Sequence, residues 1–409
     1  MVTGGARAVS RCDALGVAPY TDMQNGLYRG YLTPAYAAAQ DALGGWMREA
    51  GMTVRRDAAA NLIGRYEGDS AGAPALLIGS HLDSVRDGGR YDGPLGIMLG
   101  VEAVDALNMA GQRMPFAIEV IAFGDEEGSR FPAAMLTSRA VAGTLAAEAL
   151  NLTDADGVTL ADAGADITNY LSAVRAPGET LAYLEAHIEQ GPLLEAEGLA
   201  VGTVTGIAAQ LRYQVQVDGT AGHAGTTSMS LRRDALTGMA EMALAIERIA
   251  RDDRSDLVAT VGRVEVLPGA ANVIPGKIRF TIDVRSGDGE RRDDAAETII
   301  DHIVEIADAR GLDFAIERIH DLPASPCAPG LMDLMDAAIA DAGQPQRRLV
   351  SGAGHDAMVM AALCPTAMLF IRCKDGISHN PAEHVDPADA DIALRVMLGF
   401  IARLGASNA

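Results

Sequence analysis

The sequence predicts an α/β protein of two domains, one inserted into the other, and three observations carry that prediction. Apolar strand-like runs alternate with helix-like runs through the first third of the chain. The stretch from about 207 to 320 instead shows strands of period two interleaved with two long helices. The 409 residues exceed what one hydrophobic core usually supports.

The elements follow in order. Residues 33–51 read as a helix that stops at Gly51, and glycine commonly ends a helix. Residues 75–79 form a short apolar strand before His81, and 95–110 a helix with Leu95, Met98, Leu99, Val101 and Leu107 among its apolar positions. Residues 116–123 are strongly strand-like and stop at Gly124-Asp125-Glu126-Glu127; 181–184 form a short strand leading to His187. Near the end, 367–371 is another apolar strand and 386–404 a closing helix. Strands separated by helices suggest a sheet covered on both faces.

The middle reads as strand 210–218, helix 231–250, strand 257–266, strand 277–285, helix 290–310 and strand 313–319. This β-α-β-β-α-β order is a ferredoxin-like unit. In strand 277–285, Ile278, Phe280, Ile282 and Val284 face one way and Arg285 the other, as a half-buried strand requires. The expected division is residues 1–206 with 321–409 for the larger domain and 207–320 for the insert.

Composition narrows the function. With 33 basic and 55 acidic residues the formal charge is −22, which argues against nucleic acid and against an anionic membrane as partners. The first ten residues lack a signal-peptide core, and no apolar run approaches a membrane span. The four cysteines, Cys12, Cys327, Cys364 and Cys373, have no Cys-x-x-Cys spacing. Reduced, buried thiols and a cytoplasmic location are the expectation.

Five segments hold metal-type ligands: Gly79-Ser80-His81-Leu82-Asp83, Tyr91-Asp92-Gly93-Pro94-Leu95-Gly96, Asp125-Glu126-Glu127-Gly128-Ser129, His187-Ile188-Glu189-Gln190-Gly191 and Ser378-His379-Asn380-Pro381-Ala382-Glu383. Each is weak alone; a histidine after a strand is ordinarily structural, and Asp beside Gly ordinarily marks a turn. Together they fall at expected strand ends, where open α/β sheets place their sites. Three histidines and at least two carboxylates suffice for two divalent ions sharing one carboxylate. The glycines around Asp92 permit the close approach that a bridging carboxylate needs. Adjacent acids at Glu126 and Glu127 suit a division of labour, one binding an ion and the other moving a proton. Asp83 could orient His81. Arg285 suits carboxylate recognition through its planar fork, and Arg212 is a weaker candidate.

These segments resemble the M20-type metallo-aminoacylase and carboxypeptidase superfamily, and within it the hydantoinase/carbamoylase amidases. So do Gly222-His223-Ala224-Gly225-Thr226-Thr227, Ser351-Gly352-Ala353-Gly354-His355-Asp356-Ala357 and Gly376-Ile377-Ser378-His379-Asn380-Pro381. The match runs from about residue 10 to 404. The resemblance implies an aminopeptidase-like, mixed-sheet di-metal hydrolase domain whose insert acts as lid and dimerisation domain. It implies Asp92 as the bridge, with His81 and His187 completing one ion site and Glu127 and His379 the other. Glu126 would be the general base and Asp83 the orienting acid. His223 would polarise the scissile carbonyl, from the partner subunit of a homodimer. Gln190, Asn272, Arg285, Arg212 and the backbone at Gly354 would meet the substrate, and His355 stays outside the ligand set. Ser228 stands where the branch usually has proline, which loosens that loop and removes no functional group.

The implied reaction is hydrolysis of a ureido C–N bond in a small ureido-carboxylate, first allantoate, with release of ammonia and carbon dioxide. N-carbamoyl-L-amino acids or N-carbamoyl-β-alanine are the alternative substrates. Zn, Mn, Co or Ni would fit ligands of this type. A peptidase or N-acyl deacylase would keep the ions and need a different pocket. A non-catalytic binding protein would be expected to lose the base, and Glu126 is present.

Overall fold

The computed structural model describes residues 4–407. Among them the chain runs α1 (Gly4–Leu15), α2 (Pro34–Glu49), β1 (Thr53–Arg56), β2 (Leu62–Tyr66), β3 (Ala75–His81), α3 (Pro94–Met109), β4 (Ala117–Phe123), α4 (Leu136–Ala142), β5 (Thr180–Ile188), α5 (Leu193–Ala196) and β6 (Val201–Ile207). It continues through β7 (Ala209–Asp218), β8 (Gly222–His223), α6 (Ala235–Asp252), β9 (Val258–Leu267), β10 (Val273–Ile274), β11 (Lys277–Ser286), α7 (Gly289–Arg310) and β12 (Asp313–Leu322). It closes with β13 (Ser325–Pro326), α8 (Pro329–Asp341), β14 (Arg348–Ser351), α9 (Asp356–Met360), β15 (Thr366–Ile371) and α10 (Pro387–Ser407). Two compact units result. The first takes the described residues up to Thr205, Cys327–Leu349 and those from Ala353 onward; the second is Gly206–Pro326 with Val350–Gly352.

The first unit is built on a mixed sheet in the order β1-β2-β4-β3-β5-β15-β6. Its centre is parallel, β4 to β3 to β5 to β15, and its flanks are antiparallel. Every residue of β3, β4 and β15 is buried, as parallel strands covered by helices on both faces should be. Helix α3 starts with Pro94 after Gly93, whose φ is 82°. A side chain at Gly93 would meet the His81 carbonyl at 2.4 Å, so the turn that aims Asp92 at His81 requires glycine there. The helix is apolar nearly all round and correspondingly buried. Helix α2 is capped by Thr33, which accepts from the Tyr36 amide at 3.2 Å.

The α/β class expected from the alternating runs is the observed one, but the strands leading to the two histidines run further than expected, β3 through His81 itself. Strand β5 extends to Ile188 because its pairing with β15 continues to Ile371. His187 therefore lies inside the strand, opposite Phe370, rather than beyond it. Strands β1, β2 and β6 and helices α1 and α8 had no counterpart in the sequence reading. Strand β1 is four mostly exposed residues and α1 opens on Gly-Gly, so neither shows a strong period.

The second unit has four antiparallel strands in the order β12-β7-β11-β9, with α6 and α7 packed against them. Ile278, Phe280, Ile282 and Val284 are buried in its core with Val215, Val217, Met242, Ile246, Ile299 and Ile303. Asp234 and Asp288 cap α6 and α7 by accepting from the first backbone amides. Gly311 ends α7 in the left-handed conformation.

Candidate active site

The site lies at the C-terminal ends of the central parallel strands in the first unit. His81 is the last residue of β3, paired with Phe123 at the end of β4, and Asp125-Glu126-Glu127 follow directly. His187 comes from β5, Asp92 from the turn before α3, and His379 from the loop before α10. Asp92 sits at the centre. Its Oδ1 lies 3.4 Å from His81 Nε2 and 3.1 Å from His187 Nε2. Its Oδ2 lies 3.3 Å from His379 Nε2, which lies 3.3 Å from Glu127 Oε1. Two ligand groups with one shared carboxylate emerge, His81-Asp92-His187 and Asp92-Glu127-His379, each with its atoms within 4.8 Å of one another.

The surroundings aim these groups. His187 Nδ1 meets the Ile188 carbonyl at 2.9 Å, which turns Nε2 toward Asp92. His81 Nδ1 meets the backbone carbonyl of Asp83 at 3.1 Å. The Asp83 carboxylate stands 3.8 Å away and accepts instead from the Glu126 and Glu127 amides at 3.2 and 3.4 Å. Asp83 thus holds both the histidine and the acid loop, the first through its backbone. Gln190 lines the site cavity and reaches the shared carboxylate. Its Nε2 donates to Asp92 Oδ2 at 2.9 Å and to Ser378 Oγ at 3.2 Å, and Ser378 Oγ donates to the same Asp92 oxygen at 2.7 Å. A left-handed backbone at Gln190, φ 57°, turns the amide inward. The backbone at Gly354 and the ring of His355 line the same cavity, about 230 Å³, with His81, Asp92, Glu126, Glu127, His187 and His379. A larger cavity of about 610 Å³ lies apart, lined by Arg55, Arg65, Arg175 and Glu119, without this chemistry.

The donor set fits divalent ions. Asp92 Oδ1 and His187 Nε2 are buried and have no hydrogen-bond partner. Buried polar atoms are rarely left so, and here they converge on one point with His81 Nε2. Histidine nitrogens and carboxylate oxygens are the ligands that such ions take.

The model of peptidase family M20/M25/M40 matches residues 77–403. The chain belongs to that family. An N-carbamoyl-L-amino acid amidohydrolase of Geobacillus stearothermophilus is 43% identical over 91% of this chain and 92% of its own. An allantoate deiminase of Arabidopsis thaliana is 39% identical over 96% of this chain and 81% of its own. Among solved structures, an amidase of the hydantoinase/carbamoylase family from Burkholderia multivorans superposes with a TM-score of 0.91 at 36% identity, over 98% of both chains. The M20 chain therefore falls in the hydantoinase/carbamoylase branch.

Electrostatics set this M20 site apart from its surroundings. Burial pushes the Glu126 carboxyl well above its usual range; His81 opposes this, and Asp356, Glu127 and Asp83 add to it. Burial also raises Asp92, but three histidines outweigh that and hold it well below the carboxylate range. His379 is raised to about 10 by hydrogen bonds to Asp92 and Glu127. His355 is lowered, first by burial and then by His187, whose ring lies 4.4 Å away, centroid to centroid.

Three further residues of this site had no assigned role in the sequence reading. Glu383 reaches across the chain to accept from the Tyr91 and Asp92 amides at 2.8 and 3.1 Å. It fills the space over Gly89, where a Cβ would lie 2.0 Å from its carboxyl carbon. Glu383 lies in the segment Ser378-His379-Asn380-Pro381-Ala382-Glu383, but its role rests on contacts that the segment by itself does not show. Glu185, fully buried, accepts from Ser80 Oγ at 2.9 Å, Tyr183 Oη at 3.1 Å and the Ala357 amide at 2.9 Å. Arg29, also fully buried, donates to the carbonyls of Leu82, Leu15 and Tyr20 and so braces the chain between His81 and Asp83. Nothing in the sequence marked it.

The remaining sequence candidates lie in the second unit. His223 and Asn272 belong to neighbouring segments: His223 pairs with Val273, and the Ala224 amide donates to the Asn272 carbonyl at 2.9 Å. Arg212 and Arg285 meet on one carboxylate, that of Asp283.

Proposed function

We propose that this chain hydrolyses a ureido C–N bond of a small ureido-carboxylate, first of all allantoate, yielding ureidoglycine or ureidoglycolate with ammonia and carbon dioxide. The observation that carries the reading is a buried carboxyl, Glu126, set in one cavity with two ligand groups that share Asp92. His81, Asp92 and His187 would hold one divalent ion, and Asp92, Glu127 and His379 the other. Such ions, when bound, activate water and polarise the carbonyl. The protein's own part is the rest. Glu126 accepts the proton of the attacking water and delivers it to the leaving nitrogen. Asp83 fixes the Glu126 and Glu127 amides and, through its carbonyl, His81. Gln190 and Ser378 hold Asp92 in orientation. Arg285 and Asn272 take the substrate carboxylate, and His223 acts on the scissile carbonyl from the partner subunit of a homodimer. Sedimentation should then give twice the 42.5 kDa chain mass.

N-carbamoyl-L-amino acids are the second reading, favoured by the Geobacillus stearothermophilus relative at 43% identity. The test is a panel of allantoate, N-carbamoyl-L-amino acids, N-carbamoyl-β-alanine and a dipeptide, each with Zn, Mn, Co or Ni. Turnover of allantoate alone supports the first reading. Inertness toward every ureido compound would sink both.

A further inference from the structure

The second unit carries a charge cluster whose central member has no part in the proposed chemistry. Arg285 donates from Nε to Asp283 Oδ1 at 2.7 Å and from Nη2 to Oδ2 at 3.2 Å. Arg212 donates from Nε and Nη2 to the same Oδ2 at 3.1 and 2.8 Å. Gln210 Nε2 donates there at 2.5 Å, and Arg285 Nη1 donates to the Gly352 carbonyl at 2.5 Å. The β7–β11 register produces this: Asp283 stands opposite Arg212, and Arg285 opposite Gln210. All four side chains share the sheet face that the helices leave open. The Asp283 side chain is 20% exposed, against 40% for Arg212 and 30% for Arg285. The carboxylate is the sheltered hub and the guanidiniums are the open rim.

Two guanidiniums and one carboxylate sum to a single positive charge. Strand neighbours add no fixed charge: Thr260 and Val258 stand opposite Asp283 and Arg285 on β9. On β12, Leu322 stands opposite Gln210 and His320 opposite Arg212. Partly exposed ion pairs contribute little to stability, so stability alone does not account for a carboxylate placed between two arginines that face solvent.

We infer that Asp283 is a specificity-determining residue: it holds both guanidinium forks in place and offsets one of their charges, so that the site is tuned to one carboxylate. The preferred substrates are then ureido monocarboxylates, and ureido dicarboxylates are disfavoured. This rests on Arg285 being the carboxylate holder of the proposed reaction. Asp283 acts as a positioning residue, through the two arginines rather than on the substrate.

The test compares kcat/KM of the ion-loaded enzyme for N-carbamoyl-L-alanine, a monoanion, and N-carbamoyl-L-aspartate, a dianion. The wild type favours the monoanion. Asp283→Asn raises the local charge by one unit and shifts the dianion-to-monoanion ratio upward by about tenfold, through KM rather than kcat. Added salt shrinks that gain, which a merely structural role would not do. Asp283→Glu, keeping the charge, retains the wild-type preference. An equal loss on both compounds with an unchanged ratio overturns the inference. If the wild type hydrolyses neither compound, that bears on the proposed function, where allantoate turnover decides whether the reaction has failed. Calorimetric binding of the same two compounds to wild type and Asp283→Asn then decides the charge question: the same shift supports it, and an unchanged ratio or no binding by either overturns it.

Discussion

Glu126 and Glu383 are both buried acids near Asp92, and substitution should separate their roles. Glu126→Gln keeps the shape and removes the proton acceptor; kcat should fall by about 10²–10⁴ with ion content by atomic absorption unchanged. Glu383→Ala leaves the Tyr91 and Asp92 amides without an acceptor, at about 1–3 kcal/mol for each buried group. It also frees the loop that aims the shared carboxylate, so ion affinity should fall by about 10–100-fold. Glu383→Gln retains an oxygen for both amides and should recover most of that affinity. An Ala variant that binds ions like the wild type would remove Glu383 from the site. The difference between the two acids explains what was legible. Glu126 announces itself by residue type and by its place after an apolar strand. Glu383 acts on a residue 291 positions away, and only the fold shows that Gly89 leaves room for it.

At the scale of elements, hydrophobic patterning was readable, and contacts between elements were not. Helices α2, α3, α6 and α7 and strands β3, β4, β11 and β15 follow from periodicity with clear stops. Strand β5 came out short because only its pairing with β15 shows that it continues through His187. Asp283 was invisible for a related reason: its partner Arg212 lies on another strand, and the register brings them together. Helix α3 offers a test of close packing. A Cβ on Gly96 would lie 2.0 Å from the Ala186 carbonyl, next to His187. Alanine improves intrinsic helix propensity by about 1 kcal/mol, but the clash lifts the helix off β5. Net destabilisation of about 1–3 kcal/mol is expected for Gly96→Ala, with weakened ion binding. Thermal unfolding would check the sign, and a stabilised variant would contradict this packing.

Across the whole molecule, the formal charge of −22 makes acid behaviour informative. Burial raises the Glu119 carboxyl, but Arg175 and Arg65 outweigh it and leave the group below its ordinary value of 4.5. A carboxylate so lowered contributes stability that is fully present above about pH 4.5 and is lost as pH falls through the native value. Glu119→Gln should cost about 3 kcal/mol near neutral pH, because Arg175 is left buried beside a neutral group. The gap in Tm between wild type and variant should close below pH 4.5. A gap that stays constant into acid would show that the pair is not what stabilises this end of β4.

The four cysteines have a practical consequence at the same scale. Cys12, Cys327, Cys364 and Cys373 are all free and buried, and burial pushes Cys327 and Cys373 up to about 11 and Cys364 up to about 12. A thiol that is both sealed and protonated does not attack an alkylating reagent. Ellman's reagent should therefore find almost no reactive thiol in the native protein and all four after denaturation. The chain is in effect already blank for spectroscopy. Cysteines introduced at exposed positions, Glu148→Cys in the first unit and Glu297→Cys in the second, would take a pair of fluorophores without removing any native thiol, and energy transfer between the dyes could then follow the separation of the two units as substrate is added.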